Sequence, residues 1–100
     1  MFIITKQGVE NLIHRLTSPS NELEQCQDEV RKMLEIESEL QWWADSGKYC
    51  SWQAGAYFAG GVQILKDILN FLGEGNASQA TSLLREYANQ LKETGGDRRL

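Results

Sequence analysis

Residues 52–72 read W-Q-A-G-A-Y-F-A-G-G-V-Q-I-L-K-D-I-L-N-F-L, and this stretch decides the fold. Apolar or small residues recur in it at alternating steps of four and three, which is the periodicity of a helix: Ala54, Phe58, Gly61, Leu65, Ile68 and Leu72. Within residues 52–72, the first charged residue is Lys66. The predicted helix therefore has no charged side over its first turns and needs neighbours on most sides. We therefore expect a central helix that follows an N-cap at Ser51 and ends at Gly73 in the left-handed conformation.

Length and composition predict one small folded domain. The chain has 100 residues, of which 41% are hydrophobic and 24% charged, and this balance suits a folded protein rather than a disordered one. Residues 1–4 lack the basic and long apolar regions of a signal peptide, so we expect a cytoplasmic protein. Gln53, Gln63 and three glycines interrupt the apolar run of the central stretch, so we expect no membrane span. We expect the helical domain over residues 1–94 and a flexible tail over residues 95–100.

Three further helices are predicted around the central one. The first follows an N-cap at Thr5, runs to about residue 16 and is the shortest. The second begins at Ser18-Pro19, with serine as the cap and proline in the first helical position, and runs to residue 44 or 45. The fourth opens at Asn76, whose side chain can cap it. Short connections then predict an all-α fold, an up-and-down bundle of four helices.

One residue of the second helix does not suit a core. Glu37 falls in the apolar seam of this helix, between Met33 and Leu40. Either it leans to the edge of the seam or pairs with Arg15 or His14, or else its carboxylate faces a pocket and has a raised pKa. In the second case, Glu37 and Tyr57 are the candidate residues of a small-molecule pocket.

The sequence lacks the motifs of common enzymatic and metal sites. His14 is the only histidine, no C-x-x-C occurs, and no two acidic residues stand three apart as they do in helical di-metal sites. Gly60-Gly61 is not followed by the lysine of a phosphate-binding loop. We therefore expect no catalytic residues, no metal and no cofactor, and a protein that is not an enzyme.

Aromatic residues concentrate around the connection between the second and third helices. Six of them lie within 17 residues: Trp42, Trp43, Tyr49, Trp52, Tyr57 and Phe58. Adjacent residues of a helix point about 100° apart, so Trp42 and Trp43 cannot both face one core. Either both cap the end of the bundle, or this group, with Tyr49 and Trp52, forms a hot spot for a partner or for self-association.

Negative charge concentrates on the second helix. The formal net charge of the chain is −4, which argues against direct nucleic-acid binding. Four acids lie within about 60° of one another on the face away from the seam, and we call them the acidic stripe: Glu24, Asp28, Glu35 and Glu39. The stripe is either a solvated face or a negative surface that meets a basic partner or imitates nucleic-acid phosphates.

Small residues in the third helix predict self-association. Gly55 and Ala59, and likewise Ala56 and Gly60, are spaced by four and form ridges that let another helix approach closely. Each glycine costs a helix roughly 1 kcal/mol relative to alanine, so a packing reason is expected. We therefore expect a homodimer or a larger homo-oligomer.

Residues 5–8, Thr-Lys-Gln-Gly, followed by Leu12 and Leu16, are similar to the opening of Gre-type transcript-cleavage factors, whose helical hairpin inserts into RNA polymerase. The resemblance covers only these opening residues and implies a hairpin directed at RNA polymerase. Those factors carry acidic residues at the hairpin tip, whereas the tip here, residues 45–48, reads Asp-Ser-Gly-Lys. No functional residue is carried over from that family.

Together these features predict a non-enzymatic protein-protein interaction protein. It has the small, acidic, one-domain character of a phage or mobile-element inhibitor or accessory factor, and it would bind a host protein through its aromatic or acidic surface. Two alternatives stay open. One is a helical bundle that binds a small molecule near Glu37 and the aromatic cluster, and the other is an RNA-polymerase-directed helical hairpin.

Overall fold

The structure is a computed structural model that describes residues 3–18, 22–46, 54–94 and 96–98, with residues 54–57 described by their backbone alone. It contains four α-helices: α1 (Lys6–Thr17), α2 (Leu23–Asp45), α3 (Ala54–Gly73) and α4 (Ala77–Glu93). The described residues form no strand beyond an isolated bridge between Ile4 and Arg98. The predicted all-α class with four helices, the first of them the shortest, is confirmed.

The helices pack into a bundle of 44 × 24 × 22 Å. α3 makes its largest contact with α2 and a second one with α4, while α1 packs chiefly on α4 and only slightly on α2. The remaining side of α3, which carries Gln63, Lys66, Asp67 and Asn70, is exposed. α3 is therefore covered mainly by two helices within one chain.

Side chains from all four helices build the core. Leu12, Val30, Leu65 and Leu84, one from each helix, are fully buried. In α3, the residues at the four-and-three spacing lie on the buried side: Phe58, Gly61, Leu65, Ile68 and Leu72. A helical period of 3.6 residues keeps them on one face, as the pattern predicts. Within the described ranges, no helix combines the length and the apolarity needed to cross a membrane.

Two of the predicted helix starts are confirmed. The side-chain oxygen of Thr5 caps α1 and accepts a hydrogen bond from the backbone N–H of Gly8 at 2.9 Å. Asn76 caps α4 in the same way and accepts from the N–H of Gln79 at 3.2 Å. Each cap satisfies an N–H group that has no partner inside its helix.

The predicted start of the second helix at Ser18-Pro19 is wrong. Ser18 is the C-cap of α1, with φ −81° and ψ 154°, and α2 begins only at Leu23. Arg15, near the end of α1, bonds Glu22 at 2.7 Å and Glu29 at 2.8 Å. These ion pairs hold the start of α2 to the end of α1, an attachment that local capping signals do not encode.

The left-handed glycine after α3 is Gly75, not Gly73. Gly75 has φ +76°, whereas Gly73 is the last residue of the helix itself. The N–H of Gly75 donates to the carbonyl of Leu72 at 3.1 Å, and the N–H of Asn76 donates to that of Phe71 at 2.8 Å. These two bonds use carbonyls that the end of a helix leaves without helical partners, so the stop signal lies two residues later than predicted.

Residues 96–98 pack against the bundle, although the sequence places them in a flexible tail. Gly96 has φ +92°. The backbones of Ile4 and Arg98 exchange two hydrogen bonds, of 2.9 and 2.8 Å, and the Arg98 residue is only 6% exposed. The difference arises because Arg98 has a buried acidic partner, which lies far from it in the sequence.

Candidate functional site

The outer side of α2 joins the two surfaces that the sequence patterns predict separately. Trp42 is 58% exposed, and it shares a side of the helix with Glu35 and Glu39 because these positions are spaced by four and three. A shallow depression on this side is lined by residues of α2 alone, which we call the α2 outer face: Arg31, Leu34, Glu35, Ser38, Glu39 and Trp42. Aromatic and acidic groups therefore form one continuous surface.

Trp42 and Trp43 both lie outside the core. Trp43 is 40% exposed, and its ring centroid lies 6.2 Å from that of Trp42, with the two planes at 84°. This edge-to-face arrangement is a favourable one for aromatic pairs. Grouped large apolar side chains on a surface mark sites of interaction more often than scattered ones do.

The acidic stripe is exposed along its length. Glu24, Asp28, Glu35 and Glu39 are all exposed. Arg31 bonds Asp28 at 2.8 Å, which offsets part of the negative charge in the middle of the stripe. A surface pair of this kind contributes little to stability, so its effect is on the charge that a partner would meet.

The other predicted contact residues are described only in part. Tyr49 and Trp52 lie outside the described residues, and so do the side chains of Ala56 and Tyr57. For Gly55, the structure likewise describes only the helical backbone. Within α3, Ala59 is half-buried and Gly60 is exposed. The self-association ridges therefore stay a prediction, as does a small-molecule pocket between Glu37 and Tyr57.

A buried polar cluster surrounds Glu37. Its side chain is 0% exposed and lies in the middle of the core-facing side of α2. Its Oε1 accepts a hydrogen bond from the Tyr87 hydroxyl of α4 at 2.8 Å and another from Nε of Arg98 at 3.0 Å. The predicted pairing of Glu37 with Arg15 or His14 is wrong, because Arg15 bonds Glu22 and Glu29 and His14 is exposed.

The Arg98 guanidinium is bonded through all three of its nitrogens. Besides the bond from Nε to Glu37, its Nη1 donates to the carbonyls of Thr94 and Gly96, at 3.1 and 3.2 Å. Its Nη2 donates to the side-chain hydroxyl of Thr94. The guanidinium carbon lies 5.4 Å from the centre of the Phe58 ring, within the range of a cation–π contact.

The second carboxylate oxygen of Glu37 packs against a glycine. This Oε2 is buried and has no hydrogen-bond partner within the described part of the chain. A Cβ at Gly61 of α3 would lie 2.6 Å from the carboxyl carbon of Glu37 and closer still to Oε2. Gly61 therefore permits the close approach of α2 and α3 at this carboxylate.

The environment of the cluster shifts two pKa values in the same direction. Burial raises the pKa of the Glu37 carboxyl because desolvation penalises its charged form, while the bond from Tyr87 and the charge of Arg98 oppose this rise. Burial also raises the pKa of the Tyr87 hydroxyl, and the neighbouring Glu37 raises it further. Tyr87 is thereby kept as a neutral donor to Glu37.

Sequence reasoning identified Glu37 but missed both of its partners. Arg98 lies 61 residues away along the chain, and Tyr87 reads as one member of the apolar stripe of α4. One general signal was present, since a carboxylate in an apolar seam requires a buried cation or donor. Nothing in the local pattern indicates which basic residue supplies it.

No family model matches this sequence, and neither a curated protein nor a solved structure matches it. In the ranges that the structure describes, no three His, Cys, Asp or Glu side chains are grouped as they would be around a metal ion. Function is therefore inferred from the α2 outer face and from the Glu37 cluster.

Replacing Gly61 by alanine should lower the free energy of unfolding by about 2 kcal/mol, within the range of overpacked cores. The Glu37 carboxylate has little freedom to move away, because Tyr87 and Arg98 hold its other oxygen. Gly60→Ala is the matched control, since Gly60 is exposed and its nearest neighbour, Oε1 of Gln90, would lie 3.9 Å from the new Cβ.

Urea denaturation of the wild type and both variants measures these effects. Gly60→Ala should be neutral or should stabilise by up to about 1 kcal/mol, because alanine favours a helix over glycine. Equal effects at the two neighbouring positions would contradict the close approach at Gly61.

The contribution of Glu37 to stability should fall as pH rises. Its folded pKa lies above the ordinary value of 4.5, so the folded protein holds this proton more tightly than the unfolded chain does. Stability from this group is therefore full below the unfolded pKa and is lost as pH rises through the folded pKa.

The measurement is urea denaturation of the wild type and of Glu37→Gln over a series of pH values from 4 upward. The other acids contribute to both proteins, so the difference between the two free energies of unfolding isolates Glu37. As pH increases, the free energy of unfolding of the wild type should fall relative to that of Glu37→Gln. A relative rise would show that Arg98 and Tyr87 outweigh burial and that the pKa of Glu37 is depressed.

Proposed function

We propose that this protein is a non-enzymatic binding protein whose α2 outer face docks a basic protein partner. The observation that carries the proposal is the 58% exposed Trp42 beside Glu35 and Glu39 on one side of one helix. Tryptophan is enriched among the residues that dominate binding energy at protein interfaces, where it fills pockets of the partner. Trp42 is one of the exposed large apolar residues and is not among the buried residues that form the core.

Charge selects the class of partner. Acidic groups around an aromatic anchor steer a basic surface into place and disfavour acidic ones. A net charge of −4 disfavours nucleic-acid binding, so a basic protein fits this face better than DNA or RNA does. We propose further that the basic partner binds nucleic acid through the same surface that docks on the α2 outer face. This chain would then act as an inhibitor or accessory factor of that partner.

The state of Glu37 supports a binding role rather than an enzymatic one. A carboxyl with a raised pKa is a usual sign of an acid-base catalyst when it faces a cleft. Here Tyr87 and Arg98 bond Oε1 of this carboxylate, and Gly61 packs against its other oxygen. Its pKa shift is accounted for by burial inside the bundle.

We also infer that the chain forms a homo-oligomer through the exposed side of α3. Gly60 is exposed there, and Ala59 beside it is half-buried, so a second helix could approach this side closely. Gln63, one turn further along the same helix, is exposed as well and could form hydrogen bonds across such an interface.

Replacing Trp42 by alanine should remove most partner binding without lowering the melting temperature, because its side chain lies outside the core. Loss of a tryptophan hot spot costs about 2 kcal/mol or more, which is at least a 30-fold weaker Kd. The assay is capture from a lysate of the source cells on immobilised protein, followed by titration of the captured partner against each variant.

Charge reversal supplies the matched control. Glu35→Lys together with Glu39→Lys should also weaken binding, and the wild-type affinity should fall with added salt. Glu86→Lys changes an exposed acid on α4 and should leave binding unchanged. If Trp42→Ala and the double reversal bind as the wild type does, the α2 outer face is not the docking surface.

Light scattering should give a mass that is a multiple of 11.3 kDa. Gly60→Leu should reduce it to that of one chain, because a large side chain blocks the approach of a second helix. Gly73→Leu is the control, since Gly73 is also exposed on α3 and has nothing within 4 Å of its Cβ position. A single-chain mass for the wild type at micromolar concentration would rule out the homo-oligomer.

A further inference from the structure

The space that the Arg98 side chain fills is built for a guanidinium group. A guanidinium is planar and carries its N–H donors in a fixed fork. The walls around Arg98 offer acceptors to all three nitrogens, and an aromatic ring lies near the guanidinium carbon. A lysine ammonium, which is a compact point charge with three donors, could not reach this set of acceptors together.

We propose that this pocket over Glu37 is a guanidinium-binding site, that Arg98 is its ligand within the chain, and that it binds a free alkylguanidinium when the Arg98 side chain is removed. The ligand class follows from the chemistry of the walls. A carboxylate oxygen and a hydroxyl come from side chains, two further acceptors are backbone carbonyls, and the Phe58 ring lies 5.4 Å from the guanidinium carbon.

Most of the pocket belongs to the helices rather than to the segment that carries Arg98. Glu37 lies on α2, Phe58 on α3, and Thr94 caps the end of α4. The bond from Tyr87 of α4 holds Oε1 of Glu37 in place independently of Arg98. Only the carbonyl of Gly96 comes from the terminal segment. Shortening Arg98 therefore leaves nearly all of the wall groups in position.

The segment itself is fastened by its backbone. Two hydrogen bonds join Arg98 to Ile4 through main-chain atoms alone, so they survive a change of side chain. Arg98→Ala should consequently leave a pocket that lacks only the atoms beyond Cβ. The charged form of the buried Glu37 carboxyl would then lack its cation, and a replacement cation in the pocket would stabilise that form.

The test is chemical rescue of the full-length Arg98→Ala protein by ethylguanidinium, which supplies the atoms that arginine has beyond Cβ. Ethylammonium is the matched probe, with the same alkyl group and charge but without the planar fork. Two proteins serve as controls: the wild type, whose pocket is filled, and Glu37→Gln/Arg98→Ala, whose pocket lacks the carboxylate charge.

Thermal unfolding followed by circular dichroism should give Arg98→Ala a lower Tm than the wild type. A ligand that binds the folded state raises Tm by mass action, so millimolar ethylguanidinium should raise the Tm of Arg98→Ala by about 4 °C or more. Ethylammonium should raise it less, and ethylguanidinium should leave both control proteins unchanged. The proposal is overturned if ethylammonium does as well as ethylguanidinium, or if the double variant responds equally.

Two further arms keep the test decisive. If Arg98→Ala is unfolded at 25 °C, recovery of its helical signal at 222 nm by ethylguanidinium is the supporting result, and no recovery overturns the proposal. N-acetylarginine amide then identifies the source of the ligand. A rescue equal to that by ethylguanidinium would extend the site to arginine side chains of other chains, and rescue by ethylguanidinium alone would confine it to small cations.

Discussion

The ion pair between Glu37 and Arg98 is the interaction on which the rest of this bundle depends. A carboxylate with no solvent exposure costs several kcal/mol unless a cation and hydrogen bonds compensate it. Here the compensation comes from two directions, because α4 supplies the Tyr87 hydroxyl and the terminal segment supplies Arg98, while Gly61 of α3 gives the carboxylate room. One charged side chain thus fixes the relative positions of three helices and of the segment after the last one.

The same helix has two different faces. The core-facing side of α2 carries Glu37 and the apolar residues that pack on α3, and the opposite side carries Trp42 and the acidic stripe. The two sides of α2 do not interfere with each other, because side chains about 180° apart on an α-helix are separated by roughly the diameter of the helix. A partner that docks on the outer side would therefore meet a helix whose orientation is already set by its buried contacts.

Much of the fold could be predicted from local patterns, since these report short-range physics. Spacing of apolar residues identified the helices, and Thr5 and Asn76 identified two of their starts, because capping involves residues only three apart. The start of α2 and the partners of Glu37 could not be predicted in this way. Both depend on contacts between distant parts of the chain, Arg15 with Glu29 and Glu37 with Arg98, for which a single sequence holds no spacing rule.

The bridge between Ile4 and Arg98 has a consequence for how the protein is made. It joins residues near opposite ends of the described chain, so every helix must be synthesised before Arg98 leaves the ribosome. Until that moment, the acid on α2 has no guanidinium to neutralise it, and a partly translated bundle would enclose an uncompensated charge. Completion of the core therefore waits for the synthesis of Arg98, which disfavours a stable fold in chains that stop before this residue.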